Sequence, residues 1–285
     1  MPLNYAKVSN WRFPEVVERR ERTDTILYAL GVGVGDDPMD AGQLRYVYEQ
    51  GLVALPTLST MMGYPGFWLQ NPDTGIDWVQ TLHAEMGFTI HQPLPVAGEI
   101  VGRNRVVSVW DKGDKGAIIN VERTLAEKHS GKPIATLLHV TFARGAGNFG
   151  GERGPSVAAV KMPERAPDLT CTLKTLPQAA LIYRLCGDMN PLHADPKIAQ
   201  QAGFDRPILH GLCTYGVVGH AILRAACGYD ATRFKAMHAR FTTPVYPGET
   251  LETEMWRDGQ TLLFRTRVKE RGVIAVDSGR ATVTG

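Results

Sequence analysis

Alternation of apolar and polar side chains predicts six β-strands, three in each half of the chain. The strand-like runs of the first half, rich in Val, Ile and Thr, cover residues 100–111, 117–125 and 133–144. Those of the second half cover residues 251–256, 261–269 and 273–283. Short turns separate the runs, and strands joined by short turns pair antiparallel. Each half is therefore expected to end in an antiparallel meander of at least three strands.

A helical pattern precedes each meander. In the second half it covers residues 211–226, where small residues among the apolar ones would allow close approach to a sheet. In the first half the candidate is 43–50 together with 58–62, less regular and broken by Pro56. The patterns predict two α+β units, each with a curved sheet around a long central helix.

A stretch rich in Gly and Pro separates the two units. It begins near residue 145 and ends with Pro163 and Pro167, a composition typical of a linker. We expect an N-terminal unit at 1–150, a linker at 151–168 and a C-terminal unit at 169–285.

Composition narrows the classes of function. The chain has 285 residues, 44% of them hydrophobic, and a net charge of +2, which gives no argument for a nucleic-acid partner. Its four cysteines form no C-x-x-C pair, so reduced thiols are expected. No run is apolar enough for a signal peptide or a membrane span, and no peroxisomal tripeptide ends the chain. The expectation is a cytoplasmic protein without a membrane partner.

One motif carries most of the candidate chemistry. The run from Tyr183 to His193 contains Asp188, Asn190 and His193 around the rigid Pro191, and Gly211 opens the predicted helix shortly afterwards. Asp and His can transfer protons, Asn can orient a water molecule, and an amide at a helix start can hold a carbonyl oxygen. These groups suffice to add water beside a thioester carbonyl.

Each residue also has an ordinary structural explanation. Asp188 alone could cap a helix, His193 could be a core residue, and Asn190 could make an Asx turn. Gly211 could simply permit a tight helix entry, while His210 is expected to support the loop. Only the combination favours catalysis. Since no histidine precedes His83, the first half cannot hold a second copy, and one site per chain is expected.

Two other motifs are rejected. The run from Gly31 to Gly35 is followed by Asp36, so the dinucleotide-binding spacing of glycines fails. No G-x-S-x-G sequence supports a serine hydrolase.

The run from Tyr183 to His193 resembles the signature of the hydratase 2, or MaoC-like, group of double hot-dog enzymes. Stretches of the first half resemble the hydratase 2 part of peroxisomal multifunctional enzyme type 2. These stretches are Tyr28–Gly33, Leu55–Thr57, Leu82–Glu85 and Pro93–Pro95. The resemblance covers nearly the whole chain and implies a tandem hot-dog fold.

The resemblance also implies an activity, the reversible hydration of trans-2-enoyl-CoA to (R)-3-hydroxyacyl-CoA without a metal or redox cofactor. It implies that Asp188 and His193 are catalytic, that Asn190 assists and that Gly211 supplies the oxyanion N–H. The implied contacts of the acyl-CoA are His83, Ala84, Lys112, Met189, Pro191, Leu192 and Phe241. The family favours glycine where this chain has Ala84. A homodimer is also implied.

Three rival functions stay open at this point: a hot-dog acyl-CoA thioesterase, a 3-hydroxyacyl dehydratase acting on a carrier protein, and a non-catalytic acyl-CoA-binding protein. Because the first half lacks a site of its own, it is expected to give room for a medium or long acyl chain.

Overall fold

The computed structural model describes residues 3–155 and 160–285, and its central feature is one antiparallel sheet of ten strands. The strands of the first half are β1 (Val16–Arg20), β2 (Thr81–Ile90), β3 (Gly98–Asp111), β4 (Gly116–Glu127) and β5 (Pro133–Arg144). Those of the second half are β6 (Leu169–Lys174), β7 (Phe234–Phe241), β8 (Thr250–Asp258), β9 (Thr261–Val268) and β10 (Val273–Val283).

The two halves repeat one topology. Their strands follow the order β1-β3-β4-β5-β2 in the first half and, read from the other edge, β6-β8-β9-β10-β7 in the second. The two meanders, β3-β4-β5 and β8-β9-β10, confirm the sequence prediction. The halves join where β2 pairs with β7, with Glu85 opposite Arg240 and Phe88 opposite Met237.

Six α-helices accompany the sheet in the described residues. They are α1 (Tyr5–Ser9), α2 (Arg22–Gly31), α3 (Ala41–Val47), α4 (Ala179–Tyr183), α5 (Pro196–Gln201) and α6 (Gly211–Cys227). The predicted central helix of the second half is confirmed as α6. A left-handed glycine ends it, since Gly228 has φ of 59°.

Small residues let α6 approach its neighbours closely. A Cβ atom added at Gly216 would lie 2.4 Å from Cγ1 of Val32, and one added at Gly219 would lie 2.3 Å from Cγ2 of Thr57. Both contacts are shorter than real side chains allow, so α6 packs against the first half at these glycines. One apolar core therefore runs through both halves.

The expectation of a long central helix in the first half was wrong. Within the described part of that half, the longest helix is α2 with ten residues. The predicted segment 43–50 forms only α3, and 58–62 lies mostly in a 3-10 helix, Pro56–Met61, that packs under α6. Gly63, with φ of 60°, and Pro56 bracket this short helix and prevent a longer one.

The chain between β5 and β6 crosses from one half to the other. Its start is fixed by the Asp111 carboxylate, which accepts hydrogen bonds from the amides of Gly113, Asn148 and Gly150 at 2.8, 2.8 and 2.9 Å. The exact domain limits stay a prediction. Across residues 3–155 and 160–285, no helix combines the length and the hydropathy needed to cross a bilayer.

Candidate active site

The loop after α4 brings the predicted acid and base together. Gly187, with φ of 124°, turns the chain after a short 3-10 helix, and the Asp188 carboxylate accepts the amide of Asn190 at 3.2 Å. The Asn190 side-chain oxygen accepts the amide of Leu192 at 3.0 Å and so caps the turn Pro191–His193. The Asx-turn explanation of Asn190 is thus confirmed, and its amide nitrogen donates to no residue that the structure describes.

His193 is held as a neutral imidazole with one nitrogen free. Its Nδ1 lies 2.9 Å from the carbonyl oxygen of Ile208. A carbonyl only accepts, so Nδ1 carries the proton and Nε2 keeps its lone pair. Burial lowers the pKa of His193 below its usual 6.5, partly opposed by the Asp188 charge. The ring is therefore suited to act as a base near neutral pH.

His210 supports this loop, as the sequence predicted. Its Nε2 donates to the backbone carbonyl of Asp188 at 3.1 Å, and its ring stacks on that of His193 with centroids 3.8 Å apart. Burial, followed by the neighbouring His193, lowers the pKa of His210 to about 4. His210 is therefore a neutral support for both candidate catalytic residues.

Gly211 is the first residue of α6, where backbone amides have no partner within the helix. A Cβ atom added to Gly211 would lie 3.7 Å from Cε1 of Phe241, and the Phe241 ring lies 4.8 Å from that of His83. The structure thus places Gly211, Phe241 and His83 side by side. Ala84 is the extra residue of a β-bulge, between the pairs His83 with Thr141 and Glu85 with Val140.

Of the other residues predicted to contact the acyl-CoA, three lie on the Asp188 loop and one, Lys112, does not. Met189 and Pro191 are exposed on the Asp188 loop and Leu192 is half-buried there, so all three border the site. Lys112 lies elsewhere: its ammonium bonds the carbonyl of Arg153 and sits 5.4 Å from the centre of the Trp110 ring. No contact among the described residues joins Lys112 to the Asp188 loop.

The donor atoms of Asp188, His193 and His210 lie within 4.8 Å of one another. A metal ion bound at about 2 Å must lie in the plane of each imidazole that holds it. The two rings are stacked with an angle of only 30° between their planes, so they cannot both direct a lone pair at one nearby ion. This geometry suits proton transfer better than metal binding.

The cysteines near the motif are not activated. Burial raises the pKa of the Cys186 thiol to about 11 and that of Cys213 well above its usual value. Both thiols therefore stay protonated, which favours the packing role over a nucleophile.

Three polar residues near the site were missed by the sequence analysis. His139 stacks on His83 with ring centroids 3.9 Å apart, and Arg123 is buried on the same sheet face. Glu85, on β2, pairs with Arg240 on β7. The sequence contained a sign that Arg123 is unusual, because its position in the alternating pattern places it on the same face of the strand as Val121 and Leu125.

Comparison with known proteins agrees with the resemblance. The MaoC like domain family matches residues 158–278, and the MFE-2 hydratase 2 N-terminal domain family matches residues 19–145. An enoyl-CoA hydratase of Mycobacterium tuberculosis is 42% identical over 285 residues, 98% of each chain. A probable enoyl-CoA hydratase 2 of Dictyostelium discoideum is 38% identical over 294 residues, 99% of this chain and 97% of that one.

The solved structures agree with the sequence comparisons. The MaoC-like dehydratase of Phytophthora capsici shares 34% identity and a TM-score of 0.86, covering 98% of both chains. The tandem hot-dog architecture is thereby confirmed. The chain belongs to the MaoC-like, hydratase 2 family and is a hydro-lyase.

Proposed function

We propose that the protein adds water reversibly to trans-2-enoyl-CoA and forms (R)-3-hydroxyacyl-CoA. The observation that carries the proposal is the free Nε2 of a neutral His193, held beside the Asp188 carboxylate and near the start of α6. Relatives named enoyl-CoA hydratase support the choice of substrate class.

The thioester oxygen would accept a hydrogen bond from the Gly211 amide. Negative charge develops on this oxygen as water attacks C3, and the positive end of the α6 dipole favours that charge. Such a donor typically contributes about 3 kcal/mol of transition-state stabilisation. Phe241 and His83, beside Gly211, would form the wall along which the acyl group lies.

The two side chains of the motif would have different roles: His193 transfers the proton and Asp188 supports the transfer. Nε2 of His193 takes a proton from the attacking water while the oxygen bonds to C3, and the C2–C3 electrons move into an enolate. The imidazolium then returns this proton to C2, which restores the carbonyl and the neutral ring. The Asp188 carboxylate accepts a hydrogen bond from the second hydrogen of the water, which stays on the oxygen as the product hydroxyl, and it stabilises the imidazolium. Both new bonds form on the face that His193 occupies.

These steps are proton transfers, so the proposal requires no metal or redox cofactor. The side-chain amide of Asn190 could orient the water, since this residue is exposed and lies two positions after Asp188. The homodimer and the cytoplasmic location stay predictions.

The test follows the ultraviolet absorbance of the conjugated enoyl thioester for chains of several lengths. Wild-type protein is compared with Asp188→Asn and His193→Gln, and the product is resolved by chiral chromatography. The matched controls are Asp195→Asn, a helix-capping aspartate outside the site, and His129→Gln on the surface. We expect loss of absorbance to give the (R)-alcohol, with kcat/KM greatly reduced in the first two variants and unchanged in the two controls.

Other outcomes separate the rival functions. Release of free thiol would indicate a thioesterase instead. Tight acyl-CoA binding without turnover would indicate a binding protein, or a dehydratase that needs its substrate on a carrier protein.

A further inference from the structure

A buried arginine without a carboxylate partner lies on the inner face of the sheet. Arg123, on β4, is only 5% exposed. Its guanidinium donates to neutral acceptors: Nε to Oδ1 of Asn104 at 3.0 Å, and Nη1 to the carbonyls of Thr60 and Met62 at 3.1 and 2.8 Å. Among the described residues, no carboxylate oxygen lies within 4.0 Å of it. The Glu18 carboxylate acts on Arg123 only from a distance and pairs with Arg20. A buried cation without a directly paired carboxylate is costly, which makes Arg123 a candidate for ligand binding.

One group of this guanidinium is left for a ligand. Nη2 donates to no residue in the described chain. It is also accessible to solvent, whereas the unpaired Nε of Arg184 is fully buried. The Tyr64 ring, 40% exposed, covers the guanidinium at 5.3 Å. Although burial lowers the pKa of Arg123, to about 10, the side chain stays charged at neutral pH.

A row of side chains connects Arg123 to the active site. Arg123 and His139 share one face of the sheet, because Val121, two residues before Arg123, pairs directly with His139. His139 stacks on His83 at 3.9 Å, and His83 contacts Phe241 at 4.8 Å, beside Gly211. From β4 to β7 the row crosses three strand spacings, about 14 Å. This span is on the scale of a medium-length acyl chain.

Two opposite charges act on His83. Burial lowers the pKa of His83 to about 4, while the carboxylate of Asp188 acts to raise it and the guanidinium of Arg123 to lower it. An acyl group that starts at Asp188 and follows this row past His83 would bring its far end towards Arg123.

We propose that Arg123 binds a carboxylate at the far end of the acyl group, so that the preferred substrates are enoyl-CoA thioesters with a second, terminal carboxylate. A carboxylate supplies the missing negative charge and accepts the hydrogen bond that Nη2 can donate. This inference rests on the proposed hydratase function.

The experiment compares two series of trans-2-enoyl-CoA with eight, ten and twelve acyl carbons. One series ends in a methyl group and the other in a carboxylate. We expect the wild type to show a higher kcat/KM for the carboxylated member at one length or more. In Arg123→Gln, the ratio of kcat/KM between the carboxylated and the methyl-ended substrate should fall about tenfold to a hundredfold.

Two further variants separate binding from folding. Arg20 binds the same segment through the Met61 carbonyl at 3.3 Å and pairs with Glu18, whose charge also acts on Arg123. The double variant Arg20→Gln/Glu18→Gln therefore loosens the segment without leaving an unpaired carboxylate near Arg123. This control should lower kcat/KM by the same factor for the carboxylated and the methyl-ended substrates. Arg123→Lys retains the charge and should keep part of the preference. A wild type without preference at any length, or equal losses in Arg123→Gln, would overturn the inference.

Failure of the hydratase function would be visible separately, as a wild type that hydrates neither series. In that case calorimetry with saturated acyl-CoA still tests Arg123. A loss of binding in Arg123→Gln that is specific to the carboxylated ligand would support the inference, and equal affinities for the wild type and the variant would refute it.

Discussion

The rings of His193 and His210 stack with centroids 3.8 Å apart, and each donates one N–H to a backbone carbonyl. His193 donates to Ile208 through Nδ1, which leaves its Nε2 free. His210 donates to Asp188 and so fixes the backbone that carries the carboxylate. His210 therefore contacts both members of the proposed acid/base pair, His193 through its ring and Asp188 through its backbone.

Replacing His210 by Phe should separate these two contributions. The aromatic ring can still stack on His193, but the hydrogen bond to the Asp188 carbonyl is lost. We expect kcat to fall about fivefold while KM changes little, because one buried hydrogen bond contributes about 1 kcal/mol. Steady-state kinetics would check this. A variant with normal kcat would show that stacking alone positions Asp188.

The pH dependence of kcat/KM should report the protonation of His193. Burial lowers the pKa of His193, so activity should persist to pH values below 6.5 before the ring gains a proton and no longer accepts one from water.

Asp188→Asn should lower the pH at which activity is lost on the acidic side of the profile. The Asp188 charge favours the imidazolium, so its removal lowers the pKa of His193. The residual activity of the variant, followed from pH 4 to 8, checks the sign of the shift. A limb that stays at the same pH would mean that another group titrates there.

The local geometry of much of the candidate active site could be predicted from sequence because its residues are close in the chain. Asp188, Asn190 and His193 lie on one turn that Pro191 stiffens, and α6 begins at Gly211 as expected. Local turn chemistry fixes these positions, so neighbouring residue types are informative.

Contacts between distant strands could not be predicted in the same way. The pairing of Glu85 with Arg240 depends on the register of β2 against β7, which single-strand patterns do not contain. The prediction of a long helix in the first half was wrong because the apolar spacing at 58–62 also fits a 3-10 helix. This helix ends at Met61, shortly before Gly63. Lys112 was placed at the site by resemblance alone, and its contacts lie with Trp110 and Arg153.

Two glycines of α6 should respond differently to alanine. At Gly211 the nearest atom to an added Cβ is 3.7 Å away, an ordinary contact, so Gly211→Ala should keep its stability. The new methyl group would stand where the thioester approaches, and kcat/KM should fall about tenfold or more. At Gly219 the added Cβ would lie 2.3 Å from Thr57, so this variant should instead lose stability. Thermal unfolding and kinetics on both variants distinguish the roles, and a Gly211→Ala enzyme with full activity would remove Gly211 from the oxyanion site.

A charged cluster joins the two halves of the sheet. Oε1 of Glu85 accepts from Nε and Nη2 of Arg240 at 2.9 and 2.6 Å, and Oε2 lies 3.2 Å from Nε2 of His238. Burial alone would raise the pKa of Glu85, but the hydrogen bonds from His238 and Arg240 outweigh it and hold the pKa below 4.5. Because the folded-state pKa is depressed, the cluster stabilises the fold above about pH 4.5 and this contribution disappears as the pH falls through the folded pKa.

Glu85→Gln should therefore lower the free energy of unfolding at pH 7 by about 1–3 kcal/mol, since it removes a charge with two partners across the seam. The matched control is Glu254→Gln, because Glu254 is equally exposed at 19% but pairs with one partner, Arg265, inside the second half. Denaturant unfolding at pH 7 and pH 3.5 measures both variants. The difference in the free energy of unfolding between wild type and Glu85→Gln should be smaller at pH 3.5, because the wild-type carboxylate gains a proton. If the difference were the same at both pH values, the cluster would act through packing and not through charge. The pairing of β2 with β7 would then depend on backbone hydrogen bonds and apolar contacts alone.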